Sequence, residues 1–208
     1  MQFASPVLLL VAFQSIATAF LAGSERRTPF VSRINLEMKV GLYYGTSTGN
    51  TENVAEVIAS LSDEIKLCGY IDDFTGTDDC DAFIFGAPTW HTGADTERSG
   101  TTFDSWLYED LPQLEFGDKP VALFGVGDAG SYSSNFCDAL GELYDCFTQA
   151  GVKVVGAIPC DGIDFDESKA IRNGKFVGAV FDEDNEPELT EARASYWLTV
   201  LRATGFPL

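Results

Sequence analysis

From Gly45 to Thr51 the chain reads Gly-Thr-Ser-Thr-Gly-Asn-Thr, with four hydroxyl side chains and one carboxamide in seven residues. Backbone N–H groups at a helix start form an anion site, helped by the helix dipole. The hydroxyls of Thr46, Ser47, Thr48 and Thr51 add donors. Three residues separate Gly45 from Gly49, where a Walker A loop has four, and Asn50 stands in place of its lysine. A loop without a cation disfavours a nucleoside triphosphate with magnesium. It suits a single phosphate monoester gripped by neutral donors, although the same residues also make an ordinary Gly/Thr turn. Two more loops carry aromatic faces. Pro88-Thr89-Trp90-His91-Thr92-Gly93 presents an indole, and Gly127-Asp128-Ala129-Gly130-Ser131-Tyr132, followed by Asn135-Phe136, presents a phenol. Singly, each ring suits loop packing. Two rings beside an anion loop point to a planar ligand held between them.

These loops need elements to hold them. Lys39–Tyr44, Ala82–Gly86 and Val121–Gly125 are short apolar runs that predict buried strands. A further short strand is expected within Ile65–Phe74. Val152–Ile158 and Phe176–Phe181 predict two more. Thr51 opens a helix whose apolar face is Val54, Val57, Ile58 and Leu61. Phe136, Leu140, Leu143 and Phe147 form a second helical stripe, stopped by Gly151. Thr190 is expected to cap a last helix facing inward through Ala194, Trp197, Leu198 and Leu201. Strand–helix alternation with apolar strands implies a doubly wound α/β fold. Its five-stranded parallel sheet takes the order 2-1-3-4-5, with helices on both faces. Ligands then bind at the carboxyl ends of the strands, where the three loops lie.

The chain has 208 residues and is 45% hydrophobic, enough for one domain with a real core. Its formal charge is −19. Setting aside Arg26, Arg27, Arg33, Glu25 and Glu37 leaves ten cations against thirty carboxylates beyond residue 38, a formal −20. That field repels phosphate backbones and anionic membranes and favours a basic protein partner. No apolar run reaches the roughly 18 residues of a span, so stable membrane insertion is not expected. Five cysteines without a C-x-x-C pair argue against a disulfide framework, a zinc site or an iron–sulfur cluster. Pro6–Leu21 is apolar and ends in Ala17-Thr18-Ala19, as a signal peptide does. Ser24, Arg26, Arg27, Thr28, Ser32 and Arg33 then give a hydroxylated, net basic stretch, as in a transit peptide.

Taken together, T-S-T-G-N-T (46–51), P-T-W (88–90), G-D-x-x-x-Y (127–132), Asp161-Gly162, Phe165, Ser168-Lys169 and G-K-F-V-G (174–178) resemble flavodoxin. Asp182-Glu183-Asp184, Pro187, Leu189-Thr190 and Arg193 extend the likeness over 39–208, and the late segment is similar to the insertion of the long-chain subgroup. The resemblance implies non-covalent flavin mononucleotide (FMN). Its phosphate would be held by Thr46, Ser47, Thr48, Gly49, Asn50 and Thr51, and its ring flanked by Trp90 and a nearly coplanar Tyr132. Backbone groups of Thr89, Trp90, His91, Thr92 and Gly93, and of Asp128 through Asn135, Phe136 and Cys137, would bond the ring edge. The carbonyl of His91 or its neighbour would accept the N5 hydrogen after a peptide flip, and Asp184 would reach the ribityl chain. No catalytic residue and no metal is implied: the family is monomeric and carries single electrons at low potential without substrate turnover.

Residues 1–37 resemble the two-part leader of algal secondary plastids, with a signal peptide to about residue 19, Phe20 after the cleavage point, and a transit peptide up to Glu37. Residues 38–208 then form the mature domain. In a plastid the implied partners are photosystem I and ferredoxin–NADP reductase, with flavodoxin replacing ferredoxin when iron is scarce; a secreted protein is the alternative. A flavodoxin-like NAD(P)H:quinone oxidoreductase and a flavin-free interaction module are the rival functions. The segment from Trp90 to Trp106 is longer than in many long-chain members and holds Asp95, Glu97 and Arg98. His91, the sole histidine, is either a solvated loop residue or, when protonated, a cation favouring reduced flavin.

Overall fold

The computed structural model describes residues 40–208. The leader expected over residues 1–37 lies outside the described residues. Strands β1 (Val40–Tyr44), β2 (Ile65–Tyr70), β3 (Ala82–Pro88), β4 (Val121–Val126) and β5 (Val154–Val155) pair in the order β2-β1-β3-β4-β5. Every pairing is parallel, as the apolar runs imply. Helices α1 (Asn50–Ser60), α2 (Phe103–Glu109), α3 (Asp138–Gln149) and α4 (Thr190–Ala203) cover the sheet.

The fifth position of the sheet is split. β5 pairs with Val121 and Ala122 at the start of β4. The chain then leaves the sheet at Gly156, whose φ of 91° is open to few other residues. The Trp197 indole N–H fixes that turn by donating to the Gly156 carbonyl at 2.9 Å. Three short strands follow, β6 (Ile158–Pro159), β7 (Ile171–Arg172) and β8 (Lys175–Phe176), in a small antiparallel sheet of order β6-β8-β7. The chain returns as β9 (Ala179–Phe181), which pairs with Phe124–Val126 in the second half of β4. The runs Val152–Ile158 and Phe176–Phe181 are therefore each divided between the main sheet and the insertion.

Strand side chains alternate between two cores. Phe83, Phe85, Val121 and Leu123 pack with Trp106 and Leu107 of α2 and with Leu140, Leu143 and Phe147 of α3. Leu42, Ile84, Ala122 and Phe124 pack with Val54 and Ile58 of α1 and with Ala194, Trp197, Leu198 and Leu201 of α4. The first core is strongly aromatic: the Phe85 ring lies 5.0 Å from Phe147 and 5.6 Å from Trp106. Each such buried side chain contributes about 1.5–3 kcal/mol relative to exposure, so the strand ends that carry the loops are firmly held.

Two details differ from the sequence reading. Thr190 does not cap α4. It is the helix's first residue, buried, and its hydroxyl donates to the Glu183 carboxylate instead of accepting a backbone N–H. Helix α2 lies in what reads as loop. Phe103, Trp106 and Leu107 have helical spacing, but the polar run before them hides it.

Candidate ligand-binding cleft

The Gly45–Thr51 loop leaves β1 with its first amide fixed: Gly45 N–H donates to the Gly86 carbonyl of β3 at 2.9 Å. The Thr46 hydroxyl accepts the Gly49 N–H at 3.0 Å, and Gly49 turns the chain into α1 with φ 95°. No side chain caps this helix. Its first intrahelical bond runs from Asn53 N–H to the Gly49 carbonyl at 2.9 Å, so the amides of Asn50, Thr51 and Glu52 precede the ladder. The Thr51 hydroxyl is buried and has no hydrogen-bond partner. An unmade hydrogen bond on a buried hydroxyl costs about 1–3 kcal/mol, which is out of place unless an acceptor arrives. Glu52, the one carboxylate in the first turn, accepts from the Tyr44 hydroxyl at 2.8 Å.

A cleft of about 170 Å³ opens beside this loop. Thr48 and Asn50 come from the first loop, Thr89 and Trp90 from the loop after β3, and Asp128 and Tyr132 from the loop after β4. Asp184 closes it, accepting the Asn50 side-chain N–H at 3.3 Å. Trp90 is 49% exposed and Tyr132 52%, although both are large aromatics anchored next to a rigid sheet. No lysine or arginine lines the cleft. Pro88 and Val126, the last residues of β3 and β4, and Gly127 just beyond β4 also line it.

Other residues singled out in the sequence lie apart from the cleft lining. Ser47 is exposed, its hydroxyl 3.4 Å from the Gly100 carbonyl. The side chains of Phe136 and Cys137 are fully buried in the core, and the Phe136 amide donates to the Glu167 carbonyl at 3.2 Å. Burial pushes the Cys137 thiol well above its ordinary pKa. Asn135 turns its carboxamide to Asp138 at 3.2 Å. His91 is exposed: its Nδ1–H donates to the Glu97 carbonyl at 2.5 Å, and its own carbonyl accepts the Ala94 amide at 3.2 Å. Thr92 and Gly93 complete that turn outside the cleft lining. The support beneath has no local signal in the sequence: buried Asp182 accepts the Ala129 amide at 3.0 Å and the Asn185 amide at 3.1 Å. The Asn185 side chain in turn donates to Asp128 at 2.9 Å.

The flavodoxin family model matches residues 42–197. A flavodoxin of Synechocystis sp. is 43% identical over 172 residues, covering 79% of this chain and 96% of that protein. The chain belongs to the flavodoxin family. Flavodoxin 1 of Azotobacter vinelandii is 39% identical over 174 residues, covering 81% of this chain and 98% of its own length. A solved flavodoxin of Fusobacterium nucleatum bound to flavin mononucleotide matches with a TM-score of 0.70 and 29% identity, over 80% of this chain and 98% of that one. Among the described residues, no helix is long and apolar enough to cross a membrane.

Two ionisable groups near this flavodoxin cleft are displaced from their ordinary behaviour. Burial works to raise the Asp128 carboxyl, but hydrogen bonds from Asn185 and the Ser131 amide outweigh it and hold the group below its usual pKa. Asp128 therefore stays anionic. The Tyr44 phenol is pushed far up, by burial first and then by its hydrogen bond to Glu52 and that residue's charge. A phenol raised in the folded state stabilises the fold fully below its unfolded pKa of about 10 and loses that contribution as pH rises further. Above about pH 10 the thermal midpoint is expected to fall, with Tyr44→Phe blunting that part of the fall. A Tyr44→Phe profile that drops as steeply as the parent's would contradict this.

Proposed function

We propose that this chain is a one-electron carrier that holds FMN non-covalently and passes electrons between redox proteins. The observation that carries the reading is the buried, unpartnered Thr51 hydroxyl at an uncapped helix start, next to two exposed aromatic rings. FMN matches this arrangement group by group, and its flavin supplies the redox chemistry when bound. The Thr51 hydroxyl and the amides of Asn50, Thr51 and Glu52 donate to the phosphate monoester, which the hydroxyls of Thr46, Ser47 and Thr48 surround. Trp90 and Tyr132 flank the ring and keep water from its faces. Main-chain groups of Thr89 to Gly93 and of Asp128 face its polar edge, and Asp184 takes a ribityl hydroxyl while holding Asn50 in place. Asn135, Phe136 and Cys137 contribute through the backbone, since their side chains are engaged elsewhere.

The same residues set the direction of the redox tuning. A cleft without a cation, with Asp128 and Asp184 in its wall and a formal −20 beyond residue 38, makes added negative charge costly. Low potential for the second electron follows. The acidic surface steers basic redox proteins, more weakly at high salt. The finer assignment is a long-chain flavodoxin of an algal plastid, acting as a monomer. It takes electrons from photosystem I to ferredoxin–NADP reductase in place of ferredoxin under iron limitation. The two-part leader pattern over residues 1–37 supports the location. N-terminal sequencing of protein from isolated plastids should begin near Met38; a start at Met1 contradicts it.

Two measurements test the function. Anaerobic photoreduction of the FMN-loaded protein should proceed in two well-separated one-electron steps, whereas a single two-electron step contradicts a one-electron carrier. Thr51→Val removes the unpartnered hydroxyl and nothing of its shape. It should weaken FMN binding roughly tenfold to hundredfold, the worth of a hydrogen bond to a charged group. Riboflavin, which has no phosphate, should bind as it does to the parent. The apoprotein should be as stable as the parent or more so. Equal losses for FMN and riboflavin would contradict the assignment of Thr51 to phosphate.

A further inference from the structure

Glu142 of α3 is a carboxylate only 4% exposed, and no lysine or arginine among the described residues pairs with it. One of its oxygens accepts the Glu97 amide at 2.7 Å and the other accepts the Arg98 amide at 2.9 Å. The Tyr108 hydroxyl of α2 donates to it as well. The next two amides, Ser99 and Gly100, donate at 3.0 and 2.8 Å to Asp104, which is 7% exposed. Four consecutive backbone amides thus end on two buried carboxylates. Glu97 holds a φ of 57°, a left-handed conformation costly for a residue with a side chain, which persists only where the surroundings impose it.

The far side of this clamped segment carries the indole. The Arg98 carbonyl accepts the amides of both Trp90 at 2.9 Å and His91 at 3.1 Å. The Glu97 carbonyl accepts the His91 ring at 2.5 Å. Gly100 lies behind the indole: a Cβ there would stand 2.8 Å from the Trp90 Cβ. The Glu97–Arg98 peptide thus has its N–H on Glu142 of α3 and its carbonyl on the His91 ring, and the next peptide, whose carbonyl holds the Trp90 and His91 amides, has its N–H on Asp104 of α2. Charge-assisted hydrogen bonds of this kind are roughly twice as strong as neutral ones. A wall set in advance saves the ordering cost at binding.

We propose that Glu142 is a positioning residue for the Trp90 wall of the cleft, fixing the long 90–100 loop so that the indole stands over the ring site before the ligand arrives. The ligand half of this inference rests on the FMN reading; the clamp itself does not. A carboxylate is required because two parallel amides need two acceptors, and a glutamine would turn an N–H₂ toward one of them.

The test pairs flavin titration of the apoprotein with amide hydrogen exchange followed by NMR. Glu142→Gln should weaken FMN and riboflavin by one common factor of about ten, the worth of one lost hydrogen bond to a charged group, because the Trp90 wall meets the ring and not the phosphate. In the flavin-free variant the Trp90 and His91 amides should exchange about tenfold faster by the same measure, while β3 and β4 amides keep the parent's rates. Parental affinity for both flavins, or a loss confined to FMN, overturns the proposal. So does unprotected exchange at Glu97 and Arg98 in the unmodified apoprotein, a readout that needs no variant to fold. A parent that binds neither flavin refutes the cofactor reading instead, and the exchange data then decide the clamp alone.

Discussion

On the proposed function the site depends on one interaction: a phosphate held by the uncapped start of α1 and the buried Thr51 hydroxyl, beside a cleft lined by no lysine or arginine. The amides of residues 50–52 and that hydroxyl converge because Gly49 bends the chain sharply and Gly45 is tied to β3. A lysine here would add attraction for the phosphate. It would also place a cation near the flavin and make the reduced, more negative ring easier to form. Neutral donors separate the two tasks. They would anchor the cofactor by geometry and the helix dipole, and they leave the local field as negative as the rest of an acidic protein makes it.

That acidity is put to structural use in the loops. Among the described residues four carboxylates are buried, Asp104, Asp138, Glu142 and Asp182, and each accepts backbone N–H groups from a loop. Asp104 and Glu142 hold residues 97–100, Asp138 holds the Lys169 amide of the insertion at 2.7 Å, and Asp182 holds the Ala129 amide beside the Tyr132 loop. The two ion pairs among the described residues, Arg172–Asp145 and Arg193–Glu186, lie on or near the surface. Carboxylates satisfied by amides need no cations, so loops can be fixed without weakening the negative field. The ring walls are then as well supported as the phosphate loop, although they lie on long irregular segments.

Much of the architecture is legible in the sequence because parallel strands buried on both faces read as unbroken apolar runs. Ala82–Gly86 and Val121–Gly125 fall inside β3 and β4 for that reason. The three site loops follow, since topology alone puts consecutive strand ends together. The split fifth strand was not legible: hydrophobicity runs through Gly156, and only the tertiary bond from Trp197 shows why the chain turns there. Short α2 was hidden by its polar flank. Thr190 fits a cap by residue type, but the Glu183 carboxylate competes successfully for its hydroxyl. Glu142, Asp104 and Asp182 look like ordinary surface carboxylates. Their burial depends on contacts with residues up to 53 positions away, which no local pattern reveals.

The most direct measurement is a crystal structure of the protein with FMN. The phosphate should lie within hydrogen-bonding distance of the Thr51 hydroxyl and of the Asn50, Thr51 and Glu52 amides, with no lysine or arginine nitrogen beside it and the ring between Trp90 and Tyr132. A phosphate seated elsewhere, or one balanced by a basic side chain swung in from outside the cleft, would contradict the account.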